Sequence, residues 1–523
     1  MKNTRNRVEF GDFQTPEPLA SQVLVLLASE HIRPNAVVEP TCGLGSFVLA
    51  SQRVFPAAAV YGFDINDGYV SAVLQKAQTH RGTLHVETQD FFAMDWKAFF
   101  QGIDGEILVV GNPPWVTNAA MGVLGGGNLP EKNNFQNHVG FAAKTGKANF
   151  DISEWMLIKI LESLGARRAC LAMLCKTSTA RKVLKHAWLH GFPVCNASLH
   201  VIDAQAHFGV SVDACLLIVH TGCAEFPPVA RTYTDLSFAS KSKTIGLHGK
   251  ELVADLDLFS QFKDMEGTSY YTWRSGVKHD AARVMEFYRD GEVLKNGAGE
   301  IVDIENPYLY PLLKSSDLAN GVLKPSRYVL LTQRHPGDDT GAIESLAPKT
   351  WAYLTSHGDL LDARRSIIYQ KRPRFSIFGI GDYVFSPWKV AISGLYKTLR
   401  FRVIGTLNGQ PIIVDDTCYF VPCRSEHEAQ FVSYLLNSDL CQQFLQSLVF
   451  PDAKRPVTVD ILSRIDLRRL AERLGVESEA KEVLADAAYY ENRQSLLVCE
   501  SSGEYRIAKA KSPISSRRGR RSF

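Results

Sequence analysis

The sequence has no Cys-x-x-Cys pair, and its ten cysteines are scattered. The closest-spaced pairs, Cys170/Cys175 and Cys418/Cys423, do not match zinc-ligand spacing. Neither a zinc site nor a disulfide framework is supported, and reduced, buried thiols are expected. The fourteen histidines, His138, His207 and His335 among them, show no metal spacing, so no metal is expected. No run of 18 apolar residues occurs, which argues against a spanning helix and a membrane partner. The basic start Met1–Arg7 is followed by no apolar stretch, so it does not read as a secretory signal, and a cytoplasmic chain is expected. Net charge is only +3 over 523 residues, so any surface for a polyanion must come from local clustering. Internal repeats, a Ser/His/Asp grouping and a repeated acidic motif of the kind a fused nuclease needs are also missing. What is present is an ordinary globular balance, 45% hydrophobic and 22% charged. That excludes a wholly disordered, collagen-like or coiled-coil chain and leaves room for two to four domains.

The first ~220 residues alternate near-continuous apolar runs with helical patterns. The runs are Ala36–Glu39, Ala58–Asp64, Gly105–Gly111, Ala169–Leu174 and Ala214–Val219, with the more polar Thr83–Glu87 as a third strand between the second and third of these. Runs apolar throughout mark strands buried on both faces, and alternation with helices implies a doubly wound, mostly parallel α/β sheet. Ligands then bind at the carboxyl ends of the strands. Residues 118–149 read as a long polar loop. The boundaries expected are 1–225 for this domain, 226–270 for an irregular connection, and 271–475 for a second α+β module. Residues 476–523 read as a C-terminal helix and a basic, disordered tail ending in Arg517-Arg518-Gly519-Arg520-Arg521.

Glu39-Pro40-Thr41-Cys42-Gly43-Leu44-Gly45-Ser46-Phe47 follows a strand and precedes a helix. Gly43 and Gly45 let the backbone turn sharply against a ligand. Asp64 lies 19 residues after Gly45, at the end of the next strand, where a carboxylate can accept from both hydroxyls of a ribose. Asp90-Phe91 follows the third strand, where an acid could take an adenine amine and an aromatic could pack the ring. Thr15 before Pro16 favours an extended, lid-like turn. Taken singly, each has a plain structural explanation; their order and spacing point to a nucleoside cofactor.

Asn112-Pro113-Pro114-Trp115 follows an apolar strand, where the active crevice should be. The two prolines remove N–H donors and fix the backbone around Asn112. An exocyclic amine on an aromatic ring is a poor nucleophile because its lone pair is delocalised. Two acceptors receiving its two N–H groups, the Asn112 oxygen and the Pro113 carbonyl, would favour a pyramidal, nucleophilic nitrogen. Trp115 offers a flat face for a planar base. A methyl on a sulfonium leaving group needs no metal or strong base to react. The plain alternative is a Pro-Pro turn with a core tryptophan.

These segments resemble the gamma group of S-adenosylmethionine-dependent DNA methyltransferases that modify adenine N6 in restriction–modification systems. The matching pieces, in order, are Phe10–Pro16, Glu39–Phe47, Phe63–Asn66, Gln89–Phe91, Gly111–Trp115, Ala148–Asp151 and Phe208–Leu217. The resemblance implies the class I methyltransferase fold with S-adenosylmethionine as cofactor. Thr15 and Pro16 would lie over it, Glu39 and Gly43 at its methionine part with Gly45 in the same loop, Asp64 at its ribose, and Asp90 and Phe91 at its adenine. It implies Asn112, Pro113, Pro114 and Trp115 around the target base, with Phe208 on the other ring face. The fourth motif position is Trp rather than the commoner Tyr or Phe, and the first motif opens on Glu39 rather than Asp.

An amine inside a duplex has no path to a sulfonium methyl, so the base must be flipped out and a second domain must grip double-stranded DNA. The segment Arg364–Arg402 carries nine cations against Asp382 alone, interleaved with aromatics. Arg364, Arg365, Lys371, Arg372, Arg374 and Lys389 are the candidates for DNA contact; the alternative is a solvated basic face. The expectation is a site-specific adenine-N6 DNA methyltransferase, acting as a monomer at the bacterial nucleoid beside a separately encoded restriction endonuclease. Methylation of cytosine N4 uses the same four residues and stays open. A protein-glutamine or RNA methyltransferase fits the large second module poorly. A non-enzymatic DNA-binding phage-defence component is the remaining alternative.

Overall fold

The structure, a computed structural model, describes residues 13–77, 83–116, 151–223, 227–370 and 372–484. Phe10–Asp12, the polar loop 118–149, Ala148–Phe150, Lys371 and the Arg517–Arg521 tail lie outside the described residues. Two compact units are present. Among the described residues the first holds those up to 261 together with 446–453, and the second holds 262–445 and 454–484.

In the first unit, β1 (Ala36–Glu39), β2 (Ala59–Asp64), β3 (Leu84–Thr88), β4 (Ile107–Gly111) and β5 (Ala169–Lys176) pair in parallel. β6 (Val194–Ile202) and β7 (Ala214–Thr221) follow, and β7 runs antiparallel between β5 and β6. β8 (Val229–Tyr233), β9 (Ser242–His248) and β10 (Glu251–Val253) extend the same sheet, in the order β10-β9-β8-β6-β7-β5-β4-β1-β2-β3. The doubly wound, mostly parallel expectation therefore holds, and the antiparallel strands gather at one side. The stretch read as an irregular connection is not one in its first part, because Val229–Val253 supplies three strands of this sheet.

Side chains alternate across a strand, so one run serves two cores. Val38, Val109 and Leu171 belong to one core, while Val37, Leu108, Val110 and Cys170 belong to the other. The first core is covered by α5 (Ile152–Leu164) and α6 (Thr177–Leu189), the second by α1 (Glu17–Ser29) and α2 (Ser46–Val54). α3 (Asp67–Ala77), α4 (Trp96–Gln101) and the short α7 (Ala204–Phe208) complete the helices that bear on the site. Asp151 caps α5 by accepting from the Ser153 N–H at 3.1 Å, and Asp203 caps α7 through the Ala206 N–H at 2.9 Å. The 446–453 segment returns to this unit. Arg181 pairs with Asp452 at 2.6 Å and sits over the Phe450 ring at 4.3 Å.

Cys195 at the start of β6 and Cys223 just after β7 are joined in a disulfide, with Cα atoms 5.5 Å apart. This corrects the expectation of reduced thiols throughout. The pairing comes from strand register, which no sequence spacing discloses.

The second unit is α+β. One sheet has strands Arg274–Ser275, Cys418–Cys423, Trp388–Ser393 and Arg402–Ile404; a five-stranded sheet has Val293–Asn296, Glu286–Asp290, Arg327–Leu330, Leu309–Leu313 and Ile413–Val414. Their core includes Phe287, Leu313, Phe375, Ile380 and Phe420. No helix among the described residues is long and apolar enough to cross a membrane.

Candidate active site

Every candidate of the first unit except Thr15, Pro16 and Phe208 lies at or just beyond the carboxyl end of a parallel strand. Glu39 ends β1, Asp64 ends β2, Asp90 follows β3 and Asn112 follows β4. The chain winds from β1 outward to β3 and then returns to place β4 on the other side of β1. The crevice at such a reversal is where open α/β sheets bind ligands.

The turn after β1 is built by its glycines. Gly43 and Gly45 adopt φ of +50° and +80°. A Cβ on Gly45 would stand 2.7 Å from Val73 Cγ2, so α3 packs against bare backbone there. Asp64 closes the loop from the next strand. Its Oδ2 accepts from the Gly43 N–H and its Oδ1 from the Asn66 N–H, both at 2.8 Å. The segment before Pro16 lies over the same turn: the Gln14 side-chain oxygen accepts from the Leu44 N–H at 2.8 Å, and Ser46 Oγ donates to the Thr15 carbonyl at 2.6 Å. Sequence reasoning missed Gln14, whose only signal is its place next to Thr15-Pro16.

Glu39 is 4% exposed and accepts from the Val48 N–H at 3.0 Å. Burial pushes its carboxyl well above the usual carboxylate range; the Val48 bond opposes this and the nearby Asp64 charge adds to it. A buried acid so disposed is suited to a cationic partner. Asp90 holds the turn after β3 by accepting from the Phe92 N–H at 2.9 Å. Phe91 is buried, its ring 5.0 Å from Trp96, so it serves the core as well as the crevice edge.

Asn112 is held in one orientation. Its Nδ2 donates to the Phe13 carbonyl at 3.0 Å, and a carbonyl can only accept, which fixes the amide the right way round. Its Oδ1 is buried and, among the described residues, has no hydrogen-bond partner. A buried acceptor left open costs about 1–3 kcal/mol, so it calls for a donor from a ligand. Among the described residues no donor is bonded to the Pro113 carbonyl.

Trp115 is 5% exposed; its Nε1 donates to the Leu174 carbonyl at 3.2 Å. Its own carbonyl accepts from Lys176 Nζ at 2.8 Å, and the same ammonium meets Asp151 Oδ2 at 2.7 Å. Lys176 thus ties the Asn-Pro-Pro-Trp turn to the cap of α5, a role the sequence did not disclose beyond a charge at the end of an apolar run. Phe208 is brought to Trp115 but not across a gap. Their rings meet edge to face, 5.2 Å apart at 71°. Rings in edge-to-face contact leave no gap between them for a base. The two rings pack on each other here, so the expected place of Phe208 on the far face of a base would require it to move.

In the second unit the five candidate cations that are described separate. Lys389 is wholly buried in the strand Trp388–Ser393 and donates to the Ser386 carbonyl; burial lowers its pKa to about 7. It is not a phosphate contact, because the strand is buried on both faces from Lys389 to Ser393. Arg364 donates to the carbonyls of Leu361, His279 and Ser376 and lies 3.8 Å over Tyr369, so it braces the fold. Arg374 is paired with Asp362 at 2.8 Å. Arg365 and Arg372 are exposed.

No protein-family model matches the chain. It is 44% identical over 475 residues to the type II methyltransferase M.NspV of Nostoc sp., an alignment spanning 89% of this chain and 98% of that protein. Among solved structures it is similar to the type IIL restriction–modification enzyme MmeI, determined in complex with DNA. The TM-score is 0.54 at 12% identity, over 88% of this chain and 64% of that one. The chain thus spans about two thirds of the length of MmeI, and this likeness shows the fold.

Proposed function

The chain belongs to the type II methyltransferases, and from that premise we propose that it methylates the N6 amine of an adenine flipped out of a specific duplex DNA site. Methylation of DNA within a restriction–modification system is the family's work, and S-adenosylmethionine is its methyl donor. The single observation that carries the finer reading is the open, buried Oδ1 of Asn112 at the end of β4.

S-adenosylmethionine supplies an electrophilic methyl group on a sulfonium. The residues present fit it. A glycine turn that a Cβ would crowd leaves room for close backbone approach, and a buried acid at Glu39 suits a methionine ammonium. Asp64 suits ribose hydroxyls, since each carboxylate oxygen accepts more than one hydrogen bond. Gly43 and Gly45, Thr15-Pro16, Asp90 and Phe91 are assigned the surrounding surface. Asn112 Oδ1 and the Pro113 carbonyl take the two N–H groups of the target amine and draw its lone pair out of the ring. Pro114 keeps that turn rigid, and Trp115 bears on the base plane. Entry of the base requires Phe208 to swing from Trp115, which its place on a five-residue helix ended by Gly209 in the left-handed region permits.

The test is incubation with labelled S-adenosylmethionine and duplex DNA, followed by nucleoside analysis. Label in N6-methyladenine is expected, with loss of at least ~10²-fold in rate for Asn112→Ala and unchanged cofactor binding. Label in N4-methylcytosine would replace the adenine assignment. An Asn112→Ala variant that still methylates at the wild-type rate would end the case for the motif.

A further inference from the structure

One exposed loop of the second unit is built with more support than a solvated connection needs. Arg334, His335, Pro336 and Gly337 are exposed. Beneath them Gln333, 5% exposed, donates to the Asp338 carbonyl at 2.7 Å and accepts from the Ile377 N–H at 3.1 Å. The Asp338 carboxylate accepts from the backbone N–H of Arg334 at 3.1 Å and of His335 at 2.8 Å. A neighbouring turn, Asp382–Phe385, holds the side chains. Asp382 meets His335 Nε2 at 3.1 Å, and the Phe385 ring lies 4.4 Å from the Arg334 guanidinium. Arg372 reaches the same tip, its guanidinium within 3.7 Å of where a Cβ on Gly337 would stand.

We propose that this loop is a base-reading element, with Arg334 donating to the O6 and N7 edge of a guanine in the major groove and His335, Asp338 and Asp382 framing the adjacent pair. The inference rests on the DNA reading above and deepens it. Among the described residues no hydrogen bond or ion pair engages the Arg334 guanidinium. Stacking on Phe385 fixes its plane while leaving its N–H edge open, and that planar fork matches the two acceptors of guanine. Ordering a long side chain on binding has an entropic cost, and the loop has met much of that cost in the free protein. The charge pattern separates base reading from backbone attraction. A phosphate-binding surface needs cations alone, whereas here two carboxylates stand among the cations. Carboxylates repel phosphates but can accept from the amines of cytosine. The basic run from Arg364 to Arg402, by contrast, has given Lys389, Arg364 and Arg374 to the fold.

The test uses the full chain on a library of duplexes randomised around its methylated site, comparing wild type with Arg334→Ala, Arg334→Lys, Asp338→Asn and Arg365→Ala. Arg334→Ala is expected to lose about 10–100-fold of discrimination at one base pair, with cofactor binding unchanged. Lysine is expected to restore this only in part. Asp338→Asn, which loosens the loop without removing a base donor, is expected to relax the same position. Arg365→Ala is expected to leave site preference intact. The proposal is overturned if Arg334→Ala keeps the wild-type preference and rate. It is equally overturned if that variant weakens all sequences evenly with a shallower salt dependence, the mark of a phosphate contact. Wild type methylating no duplex would instead refute the parent reading.

Discussion

Lys176 gives the sharpest test of how the active turn is held. Its ammonium bonds the Trp115 carbonyl at 2.8 Å and Asp151 at 2.7 Å, and the two side chains are 25% and 8% exposed. Removing one member of a buried ion pair costs about 3–5 kcal/mol, because the other charge is left without its partner. Two features reduce this. Water reaches part of Lys176, and Asp151 keeps the Ser153 N–H and hydroxyl. Lys176→Met is therefore expected to destabilise the first unit by roughly 2–3 kcal/mol, a fall of about 4–12 °C in its thermal midpoint. The freed Trp115 carbonyl lets the Asn112 turn drift, so kcat is expected to fall about 10–100-fold with KM for S-adenosylmethionine unchanged. Lys185 pairs with Glu251 at 2.7 Å, with 31% and 61% exposure, and serves as the control. Lys185→Met should cost no more than about 1 kcal/mol and leave the rate alone. Thermal unfolding and steady-state methyl transfer on both variants decide the matter. If Lys176→Met behaves like Lys185→Met, the positioning argument is wrong.

Three further outcomes follow from the same geometry. The Glu39 carboxyl titrates above its ordinary value, so its contribution is most favourable below about pH 4 and is lost as pH rises; Glu39→Gln should raise the thermal midpoint of the cofactor-free protein at pH 7.5, with the gain vanishing near pH 4, while weakening cofactor binding. Lys389 has its pKa lowered to about 7, so its contribution is most favourable above about pH 10.4 and is lost as pH falls toward 7. Lys389→Met should flatten that slope in urea titrations, stabilise the protein at pH 7 by about 1–4 kcal/mol, and leave DNA affinity unchanged. Gly45→Ala meets both a left-handed backbone and Val73, and should cost about 1–3 kcal/mol with loss of cofactor binding. Gly191→Ala, at φ +68° with nothing within 4 Å, should show only the backbone part of that cost.

The apolar runs that become β1, β4, β5 and β7 were legible because strands buried on both faces carry few polar residues. β6 was missed because Asn196, Ser198 and His200 interrupt its apolar pattern. In the fold Ser198 and His200 are buried and satisfy each other at 3.2 Å, and His200 also meets the Asp235 carbonyl at 3.1 Å. β8 to β10 were missed for a similar reason, since residues such as Arg231 and Lys243 point to solvent. The candidate cations of the basic segment look equivalent in sequence. Only the partners that the fold brings up, carbonyls for Arg364 and Asp362 for Arg374, separated these two from the exposed Arg365 and Arg372.

By itself the sequence determined the strand–turn–helix order, the glycine loop, the acids at strand ends and the Asn-Pro-Pro-Trp turn, because each is a local pattern with a local physical cause. Tertiary structure alone decided which way Asn112 faces, that Lys176 holds the turn, that Phe208 rests on Trp115, that Cys195 meets Cys223, and which cations remain open. Those outcomes depend on contacts between residues up to 99 positions apart, and chain spacing carries no record of which donor will face which acceptor.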